Sequence, residues 1–141
     1  MNKSKLLTAG LLAGSIVLVP TLAAAGCTQA DLQAPSWKFQ TIWNGSAISC
    51  IIAVNAAGKM TKDGKCTYTS NVTTNLGVGA GSKVTMSTPA TCIFTGSLFI
   101  TNGNESVELT LIDGALSMDH GQATGIGAQN MDEFFFTMTR L

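Results

Sequence analysis

One histidine, one tyrosine, three prolines and no closely spaced pair of cysteines are a thin supply of reactive chemistry for a chain of 141 residues. Charge is scarce as well: 11% of residues, with eight Lys or Arg set against eight Asp or Glu. Without a basic run there is no electrostatic footprint for nucleic acid, and there is no acidic tail. The lone histidine, His120, lies between Asp119 and Gly121, where a turn or bulge is expected. Adjacent strand residues point to opposite faces, so Asp119 cannot orient it as a catalytic dyad requires. A solvent-exposed turn residue is the expectation, and no cluster of metal ligands is evident around it. The cysteines are spaced 23, 16 and 26 residues apart, without the tight pairs that grip zinc. Glu105 and Glu108 differ by an odd number and fall on opposite faces of a strand, while Asp132 and Glu133 belong to a turn. Neither pair makes the facing carboxylates of a glycosidase. No serine stands in Gly-x-Ser-x-Gly. The glycine-rich run GVGAG (77–81) precedes no amphipathic helix, so it reads as a mobile loop rather than a phosphate cradle. The expectation is a non-enzymatic chain with no catalytic residue, metal or cofactor.

What the sequence does contain begins at its N-terminus. Lys3 and Lys5, the apolar run Leu6 to Val19 and the small residues Ala23-Ala24-Ala25 form the three parts of a signal peptide. Removal of 1–25 leaves 26–141, the size of a single domain. That domain carries six basic and eight acidic side chains, five basic and two acidic in residues 26–83 and one basic (Arg140) and six acidic in 84–141. In a closed meander the two halves would meet and neutralise each other. An exported chain with an even cysteine count points to two disulfides among Cys27, Cys50, Cys66 and Cys92. Three connectivities exist; Cys50 with Cys66 fits a hairpin turning near Ala57 and would leave Cys27 to tether the N-terminal segment to Cys92. A second reading of Cys27 is a lipid-bearing residue, since Ala24-Ala25-Gly26-Cys27 approximates a lipobox. Lipidation would strand a free thiol, so a periplasmic or secreted product is expected ahead of a lipid-anchored outer-membrane one.

Helical periodicity is confined to TQADLQAP, where Thr28 and Asp31 have capping-box spacing and Pro35 forbids continuation. The rest is β-prone. Strands are expected at 36–43, 47–55, 59–72, 83–88, 91–101, 105–112, 115–128 and 133–141, the seventh bent at Gly121. Turns at Asn44-Gly45, Ala57-Gly58, Asn102-Gly103 and Asp113-Gly114 separate them. Sequential hairpins without crossovers predict an all-β, antiparallel up-and-down meander closing into a roughly eight-stranded barrel, with a β-sandwich as the alternative. In one strand Ala123, Gly125 and Gly127 share a face; in the next Phe134, Phe136, Met138 and Arg140 do. A small face beside a bulky one is a packing pair.

Trp37, in the first strand directly after a helical turn, and Arg140, in the last strand, resemble the arrangement in calycin barrels, the lipocalins, avidins and their relatives. There a first-strand Trp packs beneath an Arg from near the C-terminus and seals one end of the barrel. The resemblance implies a cation–π contact worth about 1–2 kcal/mol when desolvated. It rests on the strand count and these two structural positions; Pro35-Ser36-Trp37 stands where the family has Gly-x-Trp.

Eight strands enclose a space that side chains either fill or leave open for one small ligand. The expected inward set includes Trp37, Ile48, Val54 and Leu111, with Phe39, Ile52, Phe94, Leu98, Leu109, Phe134 and Phe136 as candidate ligand-binding residues. Gly96, Ala123, Gly125 and Gly127 suggest that room remains beside them. The function expected is binding of a small apolar ligand or of a protein partner in the envelope. The alternatives are a structural subunit of an envelope or surface assembly, and a hydrolase inhibitor.

Overall fold

From Trp37 to Trp43 the chain alternates, with Trp37, Phe39, Thr41 and Trp43 turned inward and Lys38, Gln40 and Ile42 outward, and that period-two pattern sets the architecture. A computed structural model describes residues 26–61, 64–69 and 76–141; the expected signal peptide and the sequence around Asn71 lie outside them. The strands are β1 (Ala34–Trp43), β2 (Ser46–Val54), β3 (Lys65–Tyr68), β4 (Leu76–Val78), β5 (Lys83–Thr88), β6 (Ile93–Thr101), β7 (Ser106–Leu116), β8 (Gln122–Gln129) and β9 (Asp132–Arg140). Antiparallel neighbours run β4-β3-β2-β1-β9-β8-β7-β6, and pairing of β4 with β6 closes the ring. The result is a closed eight-stranded antiparallel barrel with one extra strand, β5, lying along β6 beyond the end of β4. The sandwich alternative is set aside.

Turn chemistry explains most of the connections. Asn44 and Gly45 both adopt positive φ, as a two-residue hairpin between β1 and β2 demands. Asn55 Oδ1 accepts hydrogen bonds from the amides of Ala57 and Lys59 and so organises the turn at Gly58. Before β1, Gln29–Leu32 forms one 3-10 turn, and the Asp31 carboxylate accepts from the Thr28 amide at 2.6 Å and its hydroxyl at 2.9 Å.

Two expectations are corrected. GVGAG was expected to be a loop, yet Gly77 and Val78 belong to β4, the strand that closes the ring. Asp113-Gly114 was expected to be a hairpin turn, but β7 continues through it to Leu116 and the chain reverses at Met118–Gly121. Gly114 is needed for packing rather than for turning: a Cβ there would lie within 2.6 Å of the Phe94 ring.

The interior is packed. Phe39 and Phe136 stack with centroids 5.6 Å apart, and Phe94 meets Phe136 at 6.2 Å with tilted planes. The small face of β8 does lie beside the bulky face of β9, Gly125 opposite Phe136 and Gly127 opposite Phe134. The space those glycines leave is taken by the phenyl rings. A Cβ on Gly125 would meet Phe136 at 2.6 Å, and one on Gly127 would lie within that distance of Phe134. A Cβ on Gly96 would lie 3.0 Å from Val84.

Candidate functional site

Arg140 and Trp37 are register partners on β9 and β1, and the guanidinium carbon lies 4.9 Å above the indole ring. Arg140 also donates to the carbonyls of Asp31 and Gln33, at 2.7 and 3.3 Å, while Trp37 Nε1 donates to the Leu32 carbonyl at 2.9 Å. A cation over a ring, with two carbonyls accepting from its Nη2, fastens the N-terminal turn across this end of the barrel, although the buried Nε finds no acceptor among the described residues. Leu32, buried on that turn, completes the seal.

The opposite end is open. Trp43 at the end of β1, Ile48 on β2, Tyr68 on β3, Leu76 on β4, Ile100 on β6 and Val107 and Leu109 on β7 line a cavity of about 230 Å³, with Asn102 and Glu105 at its rim. Apart from those two side chains the lining is apolar or aromatic. The indole N–H of Trp43 is buried and has no hydrogen-bond acceptor among the described residues.

All seven candidate ligand-binding residues face the interior and are buried, but only Leu109 reaches this cavity. Phe39, Ile52, Phe94, Leu98, Phe134 and Phe136 belong to the packed core beneath it. Sequence reasoning passed over Trp43, Tyr68 and Leu76. The first had a usable signal: the inward alternation Trp37, Phe39, Thr41 reaches Trp43 in one more step. Leu76 and Tyr68 had none, because the strands that carry them are only 3 and 4 residues long.

The disulfides are Cys50–Cys66, between facing residues of β2 and β3, and Cys27–Cys92. That is the connectivity the hairpin register suggested. Lipidation would use the Cys27 sulfur, which is here bonded to Cys92. Two disulfides accord with an oxidising, exported environment.

His120 does sit at a turn, in left-handed backbone at φ 55°, but it is half-buried and partnered. Its Nδ1 lies 3.1 Å from Asp31 Oδ1 and its Nε2 3.7 Å from Cys27 Sγ. The orienting carboxylate is thus Asp31, 89 positions away in the chain, and Asp119 instead binds Ser117 Oγ and the Gly121 amide. Asp31, His120 and the Cys27 sulfur lie within 4.8 Å of one another, but that sulfur is held in the disulfide to Cys92 and offers no thiolate ligand. Hydrogen bonds from the Thr28 amide and hydroxyl, with His120 and Arg140 nearby, hold the Asp31 carboxyl below its ordinary 3.8 despite some desolvation.

No family model matches the chain, and neither a curated protein nor a solved structure matches it.

Proposed function

We propose that the protein is an exported, non-enzymatic barrel of calycin type that binds one small, mainly apolar ligand at its open mouth. The observation that carries this reading is the mouth cavity, whose walls are apolar or aromatic apart from Asn102 and Glu105. The calycin assignment draws on the closed eight-strand ring and the Trp37–Arg140 seal at the other end. Size narrows the ligand. An apolar cavity of roughly 150 Å³ takes up benzene, so about 230 Å³ suits a single substituted ring or a short branched chain. The Glu105 carboxylate at the rim disfavours an anionic ligand.

Titration with neutral ring compounds should change tryptophan emission saturably and raise the melting temperature. Val107→Asp sets a charge on the apolar wall and should weaken binding at least tenfold. A panel that shifts neither emission nor melting temperature overturns the reading.

A second reading, a subunit of an envelope or surface assembly, has one observation in its favour. Ile42 and Phe135, 70% and 78% exposed, stand on neighbouring strands β1 and β9, and Ile126 on β8 pairs with Phe135. This apolar row on the outer wall suits contact with a second copy of the chain. Sedimentation across a concentration series should then show self-association that Phe135→Lys abolishes; a strict monomer removes this reading.

A further inference from the structure

The two disulfides occupy opposite environments. Cys50 and Cys66 are both buried inside the barrel wall, among the apolar side chains of the core. Cys27–Cys92 joins the N-terminal segment to the turn between β5 and β6, and its two residues differ in burial: Cys27 is 1% exposed, whereas Cys92 is only partly buried. Beside the inaccessible sulfur stands the His120 imidazole, fixed through Nδ1 by Asp31, so that Nε2 faces Cys27 Sγ. Which nitrogen carries a proton follows from those partners: a carboxylate at Nδ1 requires N–H there and leaves Nε2 to the sulfur. Cys92 and His120 are both held in left-handed backbone, at φ 59° and 55°, a region that non-glycine residues seldom occupy and that recurs at functional sites.

We propose that Cys27–Cys92 is a redox-active disulfide that exchanges with an external dithiol, Cys92 being the sulfur attacked, Cys27 the leaving thiolate and His120 the group that receives it. A thiolate of the dithiol attacks Cys92 Sγ in line with the S–S bond; that bond breaks and its electron pair departs on Cys27 Sγ. The proton given up by the attacking thiol is taken at His120 Nε2, the N–H so formed faces and stabilises the leaving sulfur, and a better-stabilised leaving thiolate departs faster. The second thiol of the dithiol then displaces Cys92 from the mixed disulfide. The dithiol gives up two electrons and two protons; the electrons reduce the protein disulfide, one proton ends on the Cys92 sulfur and the other stays at His120 Nε2, facing the Cys27 thiolate. Asp31 touches no reacting atom and is a positioning residue. Cys50–Cys66, with no imidazole and no accessible sulfur, is the internal control.

The test treats the oxidised full chain with graded dithiothreitol under native conditions, traps free thiols with iodoacetamide and identifies the labelled peptides by mass spectrometry. Cys27 and Cys92 should be labelled at least tenfold faster than Cys50 and Cys66. His120→Asn should slow that opening about tenfold while the Cys50–Cys66 rate stays unchanged. In the reduced protein the ultraviolet absorbance of the Cys27 thiolate should be present and should fall in His120→Asn and Asp31→Asn, with partial recovery in Asp31→Glu. Labelling of both pairs at one common rate overturns the proposal without reference to any variant. So does a His120→Asn protein, folded by circular dichroism, whose Cys27–Cys92 opening and thiolate absorbance match the wild type.

Discussion

At the scale of single residues the molecule depends on places where nothing larger fits. Gly125 is the sharpest case. A Cβ there would meet the Phe136 ring at 2.6 Å and the Gly114 Cα at 2.7 Å, one neighbour being a packed aromatic and the other backbone. Neither can retreat cheaply, so Gly125→Ala should destabilise the fold by about 1–3 kcal/mol, the usual cost of overpacking. Urea unfolding of the variant measures it. Asp31 makes a different kind of demand. Its carboxyl sits below 3.8 chiefly because the Thr28 amide bonds the ionised form, and Asp119 is lowered likewise by Ser117 and the Gly121 amide. A carboxyl whose folded pKa is depressed stabilises the fold above its unfolded pKa, and that contribution is lost as pH falls through the lower folded value. Stability should therefore decline below about pH 4. Replacing both groups with Asn should flatten that acid limb, as thermal melts across the range would record.

At the scale of elements the seam of the barrel is its most exacting part. β4 is short, and four residues separate it from β5, so β6 changes partner in mid-course. Ser82 bridges the break: its buried hydroxyl donates to the Gly79 carbonyl at 2.9 Å and accepts from the Phe99 amide at the same distance. Ser82→Ala leaves that buried amide without an acceptor, a loss of about 1–3 kcal/mol. The local signature should be faster hydrogen exchange at Phe99 than at Leu109 in the β7 core. This seam is also where the sequence was hardest to read. The long strands were legible because alternation over 8 to 11 residues outweighs noise, as in β1, β7 and β9. Leu76–Val78 is too short to show a period and lies in a glycine-rich run whose composition signals a loop. Asp113-Gly114 misled for the opposite reason: the dipeptide is a strong turn signal, but here Gly114 makes room for Phe94, a contact only the closed barrel creates. The site suffered similarly. Inward-facing residues could be named from alternation, but which of them end in packed core and which at the mouth depends on where each strand stops. The His120–Asp31 pair was out of reach, because nothing local links a β7–β8 turn to the N-terminal segment.

At the scale of the whole molecule, closure sets β1 beside β9 and β4 beside β6, interleaving the basic first half with the acidic second half. It also gives the two disulfides unequal tasks. Cys50–Cys66 spans 16 residues within one hairpin, whereas Cys27–Cys92 spans 65 and pins the N-terminal turn to the far side of the ring. On the loop-entropy account the longer link removes more freedom from the unfolded chain, about 4 kcal/mol against about 3. The native segment does not depend on the longer link alone. The Cys27 amide donates to the Pro89 carbonyl at 2.8 Å, Gln29 bonds Val84 and Met86, and Arg140 holds two carbonyls of the turn. Cys27→Ala with Cys92→Ala should therefore fold to the same barrel and act mainly on the unfolded state. Two readings of one urea titration follow from that: a loss of about 4 kcal/mol, and a larger m-value as the unlinked denatured chain expands. An unchanged m-value with a smaller loss would instead mean that the unfolded chain was already restrained at this end.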